Sequence, residues 1–430
     1  MPNATNNLDS NFTRKLARVF LAEFESNRIM SKNVNTQLLK GRFNPASGAN
    51  VDFKRPTDFL SVRTSDGDVS SETVNNIITG KATGTVQNYF TAFVDYDEAD
   101  EAIKLDQLDQ LLKPLATRIK TDLELDFASY MMKNCALLAG TVGTAADTWE
   151  DIAEAGAMMQ AHGVPMDAPW YYAVNPFTQR KLATNQRSLG SGGNSGKLIT
   201  EAHEKAKIAS DYAGFDAVMT ATTLASYTTA AGADKAGTLS GTPTVTYVGA
   251  KDTMTQVLAV TALNGGSDLV VAAGERIQIT GRNRLNLSTR EVILDDAGAM
   301  ILWTGTVTTG VTLTSGAGNL TVTGPAIYES AGAYNTVDSS PVSGDVITML
   351  GAASTTYQPN LFWHKNAFSI GSVPIKKLHS TDTLATTEDG LQFRISKGVN
   401  FLENNQKVRF DFRPAYAVLN PFFAGHGFGS

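Results

Sequence analysis

The stretch of this chain that most invites a chemical reading is LGSGGNSGKLIT, Leu189 to Thr200. A phosphate cradle of the G-x-x-x-x-G-K-[ST] kind holds phosphate oxygens on backbone N–H groups, neutralises them with a lysine and binds magnesium through a hydroxyl. Counted back from Gly196, the first glycine's place is taken by Ser191, and the hydroxyl's place after Lys197 is taken by Leu198. The preceding ATNQRSLG is also too polar for the strand that should lead into such a loop, so the stretch reads as a flexible polar loop. His203-Glu204 has the start of a zincin pair, but Lys207 stands where the second imidazole would have to be. The acids Asp95, Asp97, Glu98, Asp100 and Glu101 lack the glycine and the bidentate glutamate of a calcium loop. They read as favourable partners of the N-terminal dipole of the helix that follows. Cys135 is the single cysteine, which excludes an internal disulfide framework and a thiolate zinc site. Near the end of a long apolar helix it reads as a small buried hydrophobe. There is no G-x-S-x-G elbow and no G-x-G-x-x-G after a strand, and Asp295-Asp296 reads as a turn. No catalytic residue, metal or cofactor is expected, and the chain does not read as an enzyme.

Composition bounds the rest. The 430 residues carry a formal charge of -6 with 42% hydrophobic residues, enough for two or three cores. The negative balance gives no long-range attraction to nucleic acid. No run of about 18 apolar residues occurs, and the opening MPNATNNLDSNFTRKLARVF lacks a basic region followed by an apolar one. Neither a membrane span nor a signal peptide is expected, and the lone cysteine suits a reducing cytoplasm.

The elements that must position these residues follow from periodicity. Ser10 or Asn11 caps a helix with Leu16, Val19, Phe20 and Phe24 on one stripe and Arg14, Lys15 and Arg18 away from it. This amphipathic arm packs either on its own domain or on a partner. From Gly41 to Tyr96 two extended runs flank a long polar tip, as in a large hairpin that must lean on something else. Its cations Lys54, Arg55, Arg63 and Lys81 form either a solvated face or intersubunit pairs. Pro114 suits the first turn of a helix running to Leu138, about 37 Å long at about 1.5 Å per residue. Trp149 to Leu224 alternates helix and strand: TWEDIAEAGAMMQAHGVP, WYYAVNP, FTQRKLATN and AGFDAVMTA. From about Thr223 to Gln358 the texture turns Thr-, Gly-, Ala- and Val-rich. The runs TVTYVGA, TQVLAVTAL, ERIQIT, AMILWTGTVT, VTLTS, LTVTGPAIY and DVITML argue an inserted β-barrel. KVRFDFRPAYAVLNPFF alternates Val408, Phe410 and Phe412, and is expected to return to the layer of the long helix.

The runs FKRPTDF, RTSDGD, GKATGTVQNY and EAIKLDQLDQLLKPLATRIKTDLE, with PNLFWHKNAFSIGSVPIKKLH and RFDFRPAYAVLNP, resemble the major capsid (coat) proteins of short-tailed phages related to P22. Within that group they are most similar to the Sf6 and CUS-3 type. The resemblance is collinear over nearly the whole chain, although the inserted domain matches in texture more than in residues.

The resemblance implies an α+β HK97-like capsid fold with an inserted all-β barrel. Its parts would be an N-terminal arm (1–40), an E-loop hairpin (41–96), a P-domain with the spine helix (97–142) and an A-domain (143–222). The inserted barrel, or I-domain (223–358), an A-domain return and hinge (359–395) and C-terminal P-domain strands (396–430) complete it. It implies hexamers and pentamers of an icosahedral shell, built as a procapsid around a scaffolding protein, with a portal at one vertex. The shell would enclose dsDNA without sequence-specific binding, expand on packaging and assemble in the host bacterial cytoplasm. On this reading the assembly contacts are Arg14, Lys15, Arg18, Lys54, Arg55, Arg63 and Lys81. Gly192 and Gly193 would give the loop the freedom that five-fold and six-fold rings require. The lysine–asparagine cross-link of HK97 finds no matching residues, so no covalent chemistry is carried over. Two other readings remain: a carbohydrate- or receptor-binding barrel using Trp303, Tyr328 and Tyr334, and a nucleotide enzyme or hydrolase resting on Lys197 and His203.

Overall fold

The computed structural model describes residues 8–25, 28–40, 50–55, 58–59, 61–72, 77–97, 108–188, 202–209, 211–244, 246–330, 332–379, 382–400 and 405–430. The chain forms two compact units. One comprises Met1–Val51, Gly84–Ala128 and Phe368–Ala417; the other comprises Asp52–Thr83, Ser129–Ala367 and Val418–Ser430.

In the first unit the N-terminal helix is Leu8–Glu25. Leu16, Phe20 and Phe24 recur every fourth residue, which places them on one helical stripe, and all three are buried. They meet a four-stranded antiparallel sheet ordered Thr383–Thr386, Gln392–Asn400, Asn405–Phe412, Phe90–Asp97. Alternation along Asn405–Phe412 turns Val408, Phe410 and Phe412 to the same buried face. Ring centroids lie 4.9 Å apart for Phe20 and Phe410, and 4.5 Å apart for Phe24 and Phe393. Burying each phenylalanine contributes about 1.5–3 kcal/mol. The apolar stripe of the arm is therefore covered by its own chain, which decides between the two readings of that helix.

Of the expected hairpin at 41–96, residues 41–49 lie outside the described residues and the last strand pairs elsewhere. Phe90–Asp97 pairs residue for residue with Asn405–Phe412, because its alternating apolar residues fit that sheet; only Asn50–Lys54 and Lys81–Val86 remain as hairpin neighbours. The long helix is Leu108–Lys133, with Pro114 inside it. The run before the proline, Leu108–Lys113, is rich in Leu, Gln and Asp, and forms helix despite the lost N–H. Its 26 residues span about 39 Å.

Glu124 on this helix is buried and accepts hydrogen bonds from the backbone N–H of Ile29 (3.3 Å), Met30 (2.9 Å) and Ser31 (3.1 Å), and from the Ser31 hydroxyl. One carboxylate thus satisfies the turn that follows the N-terminal helix. Glu124→Ala strands these buried donors and is expected to cost about 3 kcal/mol in urea unfolding of the purified subunit. A loss below about 1 kcal/mol would mean that water replaces the carboxylate.

The second unit contains a five-stranded sheet ordered Leu137–Ala139, Ala424–Gly427, Asn360–His364, Trp170–Val174, Ala217–Thr220. The helix Trp149–Ala161 opens with a capping box in which Thr148 and Asp151 exchange hydrogen bonds, satisfying N–H groups that the first turn leaves free. Pro176–Ser188 begins with proline, and Asn175 accepts from the N–H of Thr178 at 2.8 Å. The helix–strand alternation read from Trp149 to Leu224 is present. The C-terminal segment divides between two sheets. In the first unit Tyr416 meets Phe127 at 5.0 Å between ring centroids, whereas Ala424–Gly427 is an inner strand of the five-stranded sheet. A Cβ on Gly427 would lie 2.0 Å from the Tyr172 hydroxyl, and one on Gly425 2.2 Å from the Phe362 ring. Glycine there lets the strand sit against two buried aromatics.

The Thr-rich insertion is a closed six-stranded barrel, ordered Arg276–Asn283, Leu302–Val307, Gly318–Thr323, Thr255–Thr261, Ala236–Leu239, Val346–Met349. Its core holds Leu258, Val260, Ile277, Ile279, Trp303 and Val322, among others. Closure removes the free edges of these threonine- and valine-rich, charge-poor strands. Two runs differ from expectation. TVTYVGA is a short helix, Tyr247–Ala250, because Thr246 caps it through the N–H of Gly249. Val311–Leu313, within VTLTS, pairs with Leu269–Val271 in a separate ribbon.

Candidate assembly site

Of the residues expected to make assembly contacts, Arg14 and Arg18 are exposed on the N-terminal helix, one turn apart. Lys15 belongs to the same helix; its side chain lies outside the described residues. Lys54, Arg63 and Lys81 are exposed, and Lys81 pairs with Asp52 at 3.0 Å across the hairpin. Gly192, Gly193 and Lys197 lie outside the described residues. Arg55 is a correction. It is buried, and its guanidinium donates to the carbonyls of Lys81 (3.1 Å), Leu419 (2.6 Å) and Val418 (3.2 Å) of its own chain, while burial pushes its pKa down to about 10. A guanidinium held in this way braces the root of the hairpin and is not available to a neighbour.

The long loop between the hairpin strands is fastened at both ends to the inserted domain. Outgoing, the Asp58 carboxylate pairs with Arg290 and the Asp58 N–H donates to the Tyr334 hydroxyl at 2.8 Å. Returning, Tyr334 donates to the carbonyl of Ile78 at 3.4 Å, Lys251 reaches the carbonyl of Thr79 at 3.5 Å, and the Lys81 N–H donates to Asp252 at 3.1 Å. Tyr334 is stacked on Tyr247, with centroids 3.6 Å apart and planes at 4°. Between these points Asp66 and Asp68 accept from N–H groups of their own turn, and Val62 and Val69 are exposed.

A second cluster joins the barrel to the end of the long helix. Arg276 and Arg284 are buried. Arg276 donates to the carbonyls of Cys135 (3.2 Å) and Ala136 (2.8 Å) and to the hydroxyls of Thr304 (2.9 Å) and Thr306. Arg284 donates to the carbonyl of Thr304 at 2.7 Å. Burial pushes the two guanidinium pKa values down to about 10 and about 9, the second also because of the first. Strand periodicity did not mark this pair, since Arg284 lies just beyond the strand Arg276–Asn283 and the register shifts between Gln278 and Asn283. Nothing local marked Asp58 or Tyr334 as partners, since hundreds of residues separate them.

The remaining candidates are placed as follows. Cys135 is buried, its thiol facing the carbonyl of Met132 at 3.3 Å, and burial pushes its pKa up to about 12. Alkylation of the native subunit at pH 8 is expected to be at least about a hundredfold slower than after unfolding; equal rates would contradict this burial. His203 is exposed on a short helix. His364 faces Asp167 at 3.1 Å. Among the described residues no group of three or more His, Cys, Asp or Glu is placed to hold a metal ion, and no helix is long and apolar enough to cross a membrane. The aromatic trio expected of a glycan site is also not a surface. Trp303 is fully buried in the barrel core, Tyr328 packs against that core, and Tyr334 is stacked on Tyr247.

Residues 3–429 match the family model of the P22 coat protein, gene protein 5. The chain is 34% identical over 428 residues to the major capsid protein of Acyrthosiphon pisum secondary endosymbiont phage 1, covering 99% of each chain. Similar solved structures include a chain of Mycobacterium phage Che8, at 12% identity and a TM-score of 0.41, covering 94% of this chain and 92% of that one. The capsid of Ralstonia phage GP4 is similar at 9% identity and a TM-score of 0.39, covering 89% of this chain and 84% of that one. The class is thus a shell-forming structural protein of a phage virion. Within it, the chain belongs to the P22 coat protein family and is a major capsid protein.

Proposed function

We propose that the chain builds an icosahedral shell of pentamers and hexamers on the HK97 plan, as a scaffold-assisted procapsid that encloses dsDNA and expands as it matures. In this reading the first unit supplies the arm and P-domain, the five-stranded sheet and its helices supply the A-domain, and the barrel is the I-domain. Assembly takes place in the host cytoplasm, with a portal at one vertex. The observation that carries the reading is the loop at residues 61–72: it exposes Val62 and Val69, and its hydrogen bonds among the described residues are local. Such a tip gains a buried environment when it lies on a neighbouring copy. The net charge of -6 agrees with DNA held by enclosure and not by affinity. Arg14, Lys15, Arg18, Lys54, Arg63 and Lys81 remain the proposed intersubunit contacts, with Gly192 and Gly193 retained on the resemblance alone.

The test is coexpression of the full chain with the neighbouring phage genes, followed by negative-stain microscopy. Closed particles that depend on a scaffolding gene are expected. Persistently monomeric protein under those conditions would overturn the reading.

A further inference from the structure

The loop Asp52–Thr83 leaves and rejoins its hairpin within reach of two side chains of the inserted domain. Arg290 pairs with Asp58 and also donates to the carbonyl of Asn335 at 2.8 Å, so its guanidinium is fixed by its own domain before it meets the loop. The Tyr334 hydroxyl accepts from the Asp58 N–H and donates to the carbonyl of Ile78. It therefore ties the outgoing and returning limbs at one atom. Ile78 packs into the apolar cluster of Tyr247, Ala250, Met254 and Phe422. A Cβ on Gly80 would lie 2.4 Å from the carbonyl oxygen of Lys251, so the returning limb approaches the insertion as closely as a glycine backbone permits.

These ties change how much chain is free. The ties at Asp58 and Ile78 bring the anchored points closer in sequence than the hairpin strands Asn50–Lys54 and Lys81–Val86 do. A shorter free segment loses less conformational entropy on docking and presents its tip from a fixed base, which is preorganisation for association. An exposed ion pair by itself contributes little, and Asp58 is about half exposed. The stacked tyrosine and the two limbs joined at its hydroxyl are what make the base rigid.

From this geometry we infer that Arg290 and Tyr334 are positioning residues for assembly: the inserted domain aims the 61–72 tip of its own chain at the neighbouring copy. The inference rests on the proposed docking of that tip. It assigns the insertion a role in shell formation beyond the stability of the barrel, with Asp58 as the receiving group.

The experiment uses the full chain. Tyr334→Phe keeps the stacked ring and removes the shared hydroxyl, so the fold is retained. Arg290→Ala removes the ion pair, and Asp58→Arg combined with Arg290→Asp restores it reversed. In unassembled subunits tryptic cleavage after Arg63 is expected to quicken about fivefold to tenfold in each single variant, as loss of one to two hydrogen bonds at the base implies. The yield of closed shells is expected to fall by a similar factor, and the reversed pair is expected to recover most of both. Faster cleavage with native shell yield, or unchanged cleavage, would overturn the inference. Deletion of residues 64–70 separates the two proposals. If that deletion leaves shell yield unchanged, tip docking itself fails; if it abolishes shells while Tyr334→Phe and Arg290→Ala do not, only the positioning role fails.

Discussion

Trp303→Ala is expected to destabilise the inserted domain by about 4 kcal/mol, the range for removing a fully buried tryptophan from a packed core. The indole is completely buried, its N–H donates to the carbonyl of Gly324 at 2.9 Å, and a Cβ on Gly305 would lie 2.7 Å from its ring. The indole is the largest side chain of the barrel core, so the cavity it leaves cannot be filled by a small shift of a neighbour. Circular dichroism through a urea titration measures the loss, and Trp303→Phe is expected to cost about half as much. The same variant separates the shell reading from a glycan-binding barrel. An exposed binding tryptophan could be removed at a cost below about 1 kcal/mol, and that result would overturn its place in the core.

The second large effect is acid lability of the junction between the barrel and the five-stranded sheet. His426 is buried, its Nε2 donates to the carbonyl of Met132 at 2.9 Å, and burial with the nearby Arg276 pushes its pKa down to about 3. His162 lies buried against the Phe422 ring, and burial with the charges of Arg284 and Arg290 pushes it well below its usual value. In the unfolded chain both titrate near 6.5. Below that pH the unfolded state binds more protons than the folded one, so stability is complete above about 7 and falls as the pH is lowered. At pH 5 His426 alone removes about 2 kcal/mol, at about 1.4 kcal/mol per pH unit, and His162 adds a loss of the same sign. Burial raises the carboxyl pKa of Glu275 and of Glu154, which acts in the opposite direction from the ordinary carboxylate range upward. Urea midpoints between pH 8 and pH 5 are expected to drop over this window, and to drop less in His426→Gln. Midpoints constant from pH 7 to pH 5 would exclude the mechanism.

How much of this was legible beforehand depends on how local each determinant is. The N-terminal stripe, the capped helix at Trp149, the strand WYYAVNP and the alternation of Val408, Phe410 and Phe412 are visible because helix and strand periods act within a few residues. The failed phosphate motif at Ser191 and Leu198 was equally readable, since it depends on residue identity alone. TVTYVGA was misread because threonine and valine favour strands while a single threonine cap can win a short helix. Pro114 was misplaced because the residues before it sustain a helix that the proline only weakens.

The sequence by itself determined the kind of protein: a chain of the P22 coat protein family, with a charge-poor barrel inserted into a mixed α/β frame and a long polar hairpin that lacks its own core. Only the tertiary structure decided which charges remain at the surface. Arg55 and Lys54 are adjacent and chemically alike, yet one is buried on three carbonyls and the other is exposed. The same is true of Trp303, of the Arg276–Arg284 pair and of the tie between Asp58, Arg290 and Tyr334. Burial and partnership across hundreds of residues depend on which strands close on which. That is a property of the packed chain, and no window of sequence contains it.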